Sequence, residues 1–173
     1  MGYGNVAVLS LVALRDGSEV ALRPLEAGDR ERLSSLFYRL SPESVYHRFL
    51  SPIHDPSEAG LDRLLDLDHD QREAIAAMSG DEVVGVARYF RDRETAAADL
   101  AVLIEDAWQG KGLSVILVER LKELARSRGI EAFTATILSQ NRAAIGLVRR
   151  VFPNATFTVT RPELTALMPF EAP

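Results

Sequence analysis

Trp108-Gln109-Gly110-Lys111-Gly112-Leu113-Ser114 stands between a strand-like run that ends at Ile104 and the longest helical pattern of the chain, Gly110 to Arg128. Two glycines in so short a joint let the backbone aim several N–H groups at one point. The helix start adds unpaired donors and roughly half a positive charge, and Lys111 adds a full one, so an anion fits here. An ordinary tight strand-to-helix turn would use the same glycines for geometry alone. Spacing removes two nucleotide loops. A Walker A loop needs Gly where Glu105 stands and Ser or Thr where Gly112 stands, and the dinucleotide fingerprint needs Gly or Ala where Val115 stands.

Working outward, Leu113, Ile116, Leu117, Leu121 and Leu124 form one apolar stripe on the long helix, and Gly129 supplies its stop. Before the joint, Ala74 to Met78, Val83 to Phe90 and Ala96 to Ile104 read as strands parted by Ser79-Gly80-Asp81 and Arg91-Asp92-Arg93. Loops this short force antiparallel neighbours. After the helix come a strand, Ala132 to Leu138, a helix, Asn141 to Val151, and a last strand, Ala155 to Thr160. The strand, long helix and strand predict a right-handed βαβ crossover with roughly parallel strands.

Nearer the start, Val6 to Leu14 and Glu19 to Pro24 flank Arg15-Asp16-Gly17-Ser18, a hairpin pattern. Leu33, Leu36, Phe37 and Leu40 specify an amphipathic helix that stops at Ser41-Pro42. Ser41-Pro42-Glu43-Ser44 and Asp55-Pro56-Ser57-Glu58 predict two short helix starts, the second running on through Leu61, Leu64 and Leu65. No repeat or linker divides the chain, so residues 1–173 are expected to form one domain, with 1–17 an extra N-terminal strand.

With 173 residues, 47% hydrophobic and 26% charged, the composition is that of an ordinary globular domain. The absence of cysteine excludes a disulfide framework, a thiolate metal site and a covalent Cys intermediate. A net charge of −5 disfavours a nucleic-acid partner and leaves cationic partners open. The run from Val6 to Leu14 is broken by Ser10 and follows no basic residue, so neither a signal peptide nor a membrane span is expected, and the protein is expected in the cytoplasm. His47, His54 and His69 have no ligand spacing, so no metal is expected.

The Gln109-x-x-Gly112-x-Ser114 turn, the strand Asp99-Leu100-Ala101-Val102-Leu103-Ile104 before it and the later Asn141-Arg142-Ala143-Ala144 resemble the cofactor-binding core of the GNAT superfamily of N-acyltransferases. The order of elements from about Glu19 to Thr160 matches as well. One segment, Leu40-Ser41-Pro42-Glu43-Ser44-Val45-Tyr46-His47-Arg48-Phe49, is similar to bacterial protein lysine acetyltransferases of the Pat type. The resemblance implies an α/β GNAT fold, a mixed central sheet of about seven strands with helices on both faces. It implies acetyl-CoA as co-substrate, held by backbone amides of Gln109, Gly110, Lys111, Gly112, Leu113 and Ser114. The exposed strand edge at Val102, Leu103 and Ile104 would pair with the pantetheine arm, and an amide at that strand end would face the thioester carbonyl. Asn141 would touch the pantetheine, although a pure N-cap accounts for it equally well. Arg149 and Arg150 could reach a 3′-phosphate or form a solvated helix end.

The implied reaction is acyl transfer, most simply acetyl, to a primary amine in a ternary complex, the acceptor being a protein lysine or a small molecule. A free amine with pKa near ~10.4 is almost all ammonium at neutral pH, so its proton needs an exit. Pat-like members carry Glu where Asp99 stands, which makes Asp99 the candidate base, one methylene shorter, with Glu105 as fallback. A strand-edge carboxylate paired with Arg88 or Arg91 is the alternative role for Asp99. The Tyr that many members place on the helix after Asn141 is replaced by Leu147 and Val148. These departures keep a second reading open, a catalytically silent acyl-CoA sensor, and a homodimer is left open too.

Overall fold

The computed structural model describes residues 9–51, 54–55, 57, 60–91 and 93–170. One mixed sheet of eight strands runs through them in the order β1-β2-β3-β4-β5-β6-β8-β7. The strands are β1 (Ser10–Ala13), β2 (Glu19–Pro24), β3 (Arg72–Ser79), β4 (Glu82–Arg91), β5 (Ala97–Ile104), β6 (Ala132–Leu138), β7 (Thr156–Thr160) and β8 (Glu163–Pro169). The helices are α1 (Arg30–Tyr38), α2 (Pro42–Phe49), α3 (Leu61–Leu65), α4 (Leu113–Ser127) and α5 (Arg142–Val151). Every neighbouring pair of strands is antiparallel except β5 and β6, which are parallel across the α4 crossover.

The predicted hairpin closes at Asp16-Gly17, where the Leu14 N–H donates to the Ser18 carbonyl at 2.7 Å, and it adds β1 at one edge of the sheet. Among the described residues of the expected Val6–Leu14 run, Ser10 to Ala13 form the strand; residues 6–8 lie outside the described residues. At the other end the sequence reading stops one strand short. After Thr160 the chain turns back as β8, which inserts between β6 and β7, so the sheet has eight strands and not seven. The signal was present as alternation: Ala166 and Met168 are buried and Thr165 and Leu167 exposed.

Two apolar layers cover the sheet. Leu113, Leu117, Val118 and Leu121 of α4 and Val148 and Val151 of α5 pack with Tyr89, Phe133, Phe152 and Phe170 on one face. Leu33 and Leu36 of α1 and Leu61 of α3 pack against Ala21, Ala74, Ala76 and Met78 on the other. The approach of α4 depends on Gly85. A Cβ there would lie 2.9 Å from Ile104 Cδ1 and 3.3 Å from side-chain carbons of Leu113 and Leu117.

Helix ends follow the expected caps with small shifts. The Ser41 hydroxyl accepts from the Ser44 N–H at 3.1 Å and starts α2 ahead of Pro42. α3 begins at Leu61 after Gly60; of the start expected at Asp55, residues 56 and 58 lie outside the described residues. α4 begins at Leu113, three residues later than the pattern suggested, because Gly110 and Gly112 hold φ of 75° and 87° and stay outside the helix.

Candidate functional site

The site grows from the one parallel contact in the sheet. β5 and β6 pair only through Ala97 with Ala132, Ala98 with Phe133 and Asp99 with Thr134. Beyond Asp99, β5 follows β4 as far as Ile104 opposite Gly85, while β6 follows β8, so the strands diverge. The edge of β5 over Val102, Leu103 and Ile104 therefore faces a gap with no strand partner among the described residues.

At the far end of β5 a single turn of 3-10 helix, Asp106–Trp108, leads into the glycine joint. The Gln109 N–H is taken internally by the Asp106 carbonyl at 3.2 Å, which removes it from the expected set of amides. From Gly110 through Ser114, no N–H has an acceptor among the described residues, and the first bond of α4 runs from the Ile116 N–H to the Gly112 carbonyl at 3.3 Å. These free donors open a helix of 15 residues. That is the arrangement an anion stabilises.

Two neighbours hold the joint in shape. The Gln109 Nε2 donates to the Ile104 carbonyl at 3.0 Å and to Ser44 Oγ at 3.1 Å, while Asp106 accepts from the Ser41 N–H at 3.0 Å. α2 is thus tied to the turn. On the opposite side the β1–β2 hairpin folds over it: the Arg15 N–H donates to the Lys111 carbonyl at 3.2 Å, and Arg15 Nε would lie 3.2 Å from a Cβ at Gly112. Lys111 does not offer the free charge expected of it. Its Nζ lies 2.9 Å from Asp16 Oδ2 and 4.7 Å from the centre of the Trp108 ring. The hydroxyl of Ser18, then Lys111, hold the Asp16 carboxyl well below its ordinary range.

Three neighbouring cavities share lining residues at the gap. One of 210 Å³ is lined by Val102, Leu103, Ile104, Gln109, Gly112 and Asn141. The next, of 320 Å³, runs between β5 and β6 past Asp99, Val102, Asn141 and Leu147. The third, of 510 Å³, opens on the far side among Arg48, Arg63, Arg88 and Asp99. Arg48 touches all three, and His47 lines the first two. Asn141 caps α5 by accepting from the Ala144 N–H at 3.1 Å, and it also lines the first two cavities.

Asp99 presents an exposed edge to the second and third cavities. The cavity walls nevertheless strip enough water from it to push its carboxyl above the ordinary range, against the pull of Arg88 and Arg48. The expected pairing with Arg91 does not form, because that guanidinium donates to the Arg128 carbonyl at 2.8 Å. Glu105, the fallback base, sits 3.1 Å from the Arg39 Nε and lines none of the three cavities. Arg149 and Arg150 line none of them either; Arg149 lies over the Phe157 ring. No tyrosine lines the 320 Å³ cavity, where Leu147 and Val148 stand. No group of three metal-ligating side chains occurs among the described residues.

Arg15 has no role in the sequence pattern, and the family resemblance places Tyr46-His47-Arg48-Phe49 only as a segment that lines the acceptor side, without saying what each side chain faces. Arg15 reaches the turn only through the fold of the hairpin, and Arg48 reaches Asp99 only because α2 crosses β5.

Residues 36–152 match the family described as Acetyltransferase (GNAT) family. Acetyltransferase PA5475 of Pseudomonas aeruginosa is 37% identical over 135 residues, 76% of this chain and 73% of that protein. Acetyltransferase Pat of Mycolicibacterium smegmatis is 30% identical over 143 residues, covering 81% of this chain but 43% of Pat, so this chain corresponds to less than half of that relative. The crystal structure of the GNAT domain of S. lividans PAT superposes with a TM-score of 0.85 at 29% identity, over 93% of this chain and 96% of that one.

Proposed function

This chain belongs to the GNAT acetyltransferase family, and from that membership we propose that it transfers an acetyl group from acetyl-CoA to a primary amine by direct attack in a ternary complex. The observation that carries the reading is the run of unpartnered amides from Gly110 to Ser114 at the start of α4, beside the open edge of β5. Those donors suit the diphosphate of CoA, with Arg15 at the rim of the turn. Val102, Leu103, Ile104 and Asn141 suit the pantetheine arm.

Acetyl-CoA supplies a thioester carbonyl. A main-chain N–H at the end of β5 holds the carbonyl oxygen as charge develops on it. Asp99 receives the proton of the amine, directly or through a water, and Arg88 and Arg48 keep its carboxylate available. A thiolate whose parent pKa is near ~8.5 leaves without a dedicated acid, which is consistent with Leu147 and Val148 where a tyrosine would stand. The acceptor is a protein lysine, as the Pat-like segment implies, or a small molecule. The protein is assigned to the cytoplasm on the sequence reading, and no described helix is long and apolar enough to cross a membrane.

Titration calorimetry with acetyl-CoA tests the first half, and no heat at millimolar ligand overturns it. Release of free thiol on a panel of amines tests the second. Thermal stabilisation by CoA with no turnover on any amine would instead identify the silent sensor that the missing tyrosine favours.

A further inference from the structure

The chain pairs its enclosed guanidiniums with care. Arg23 lies 2.7 Å from Asp29, Arg128 lies 2.8 Å from Glu73, and Arg91 donates to main-chain carbonyls. Arg48 and Arg88 are the exceptions inside the cleft. Both line the 510 Å³ cavity, and neither has a hydrogen bond or ion pair with any acceptor among the described residues.

Register explains how they meet. Arg88 faces Ala101 and Asp99 faces Phe90 across β4 and β5, which puts Arg88 and Asp99 on one face as diagonal neighbours. Arg48 enters from α2, its guanidinium 4.8 Å from the Phe49 ring centre. Loss of water, with Arg88 beside it, pulls the Arg48 guanidinium down to about 10. Arg63, exposed on α3, adds a further cation at the rim.

Arg48, Arg63 and Arg88 stand against Asp99 here, while Arg72 and Asp66 of the same lining pair with each other, which leaves this end of the site positive in a chain whose net charge is −5. A bare ammonium entering here meets like charge. An acceptor that brings a carboxylate beside its amine supplies the missing anion, and a guanidinium fork matches a carboxylate in shape as well as charge. Resting on the acyl-transfer reading above, we propose that the acceptor is an amine with an adjacent carboxylate, as in a free amino acid. Arg48 and Arg88 grip the carboxylate and direct the amine toward Asp99 and the β5 gap. The cavity has the size of an ordinary small-molecule site.

The test compares L-leucine with isopentylamine and L-phenylalanine with phenethylamine, each pair differing by the carboxylate alone. Two readouts are taken: acetylation with acetyl-CoA, and calorimetric binding to the CoA-loaded protein. The amino acids should be favoured in kcat/KM on the order of 30-fold, mainly through KM. Arg48→Met and Arg88→Met should each collapse that ratio to within about threefold, and Arg48→Lys should restore part of it. Melting temperature verifies that the variants fold.

Equal or better use of the decarboxylated amines overturns the proposal. So does a preference that survives both methionine variants. A peptide lysine with neutral neighbours preferred over all of these overturns it as well, whereas a peptide preferred only when Asp adjoins the lysine supports the same carboxylate chemistry from a polymeric source. If no amine turns over, calorimetry still decides. Amino-acid binding lost in Arg48→Met upholds the carboxylate grip while the transfer reading fails, and no amino-acid binding overturns the grip.

Discussion

At the scale of single residues, Asp99 combines a demand for ionisation with a setting that resists it. Its carboxyl is raised by loss of water and lowered by Arg88 and Arg48, with the first effect larger. The base is the ionised form, so activity should rise as pH climbs through this pKa, and the acidic limb of the kcat/KM profile should lie above the usual carboxylate range. An acidic limb near pH ~4, the ordinary carboxylate value, would remove Asp99 from the role. Asp99→Asn should lower kcat on the order of 100-fold while leaving CoA affinity unchanged by calorimetry. Lys111 gives a contrasting case. Because Asp16 and the Trp108 ring already occupy its ammonium, Lys111→Ala should change CoA affinity by less than about threefold. Sequence alone suggested otherwise, since Asp16 lies 95 positions earlier and no local pattern joins the two.

At the scale of elements, the strand, glycine joint and long helix were legible because their signals are local: a change of period at Ile104, two glycines and an apolar stripe. β8 was missed although its seven residues alternate, because Arg161-Pro162 punctuates the chain before it; only its pairing with both β6 and β7 makes it an interior strand. The resemblance puts the segment from Tyr46 to Phe49 on the acceptor side, but the partner of Arg48 there is not legible, for a related reason. Helical spacing shows that Arg48 shares α2 with Phe49 and says nothing about the strand the helix will cross. Gly85 tests the seat of α4. Gly85→Ala places a methyl against Ile104, Leu113 and Leu117 and should cost about 1 to 3 kcal/mol of unfolding free energy in a denaturant titration.

At the scale of the whole molecule, the eight-stranded sheet is joined between β5 and β6 by three residue pairs, with α4 crossing between the two parts. Acetyl-CoA at a hundredfold excess over its Kd should add about 2.7 kcal/mol of stability, a rise in melting temperature of roughly 5 to 10 °C for a chain of this length. The narrow seam gives that stabilisation a location. A thread of ligand lying along β5 would act as a keystone, giving the two wings of the sheet a common hydrogen-bonded neighbour where they otherwise part. Amide exchange should then slow in β5 and β6 together upon loading, on flanks that share few bonds of their own, so that substrate doubles as mortar for the fold that receives it.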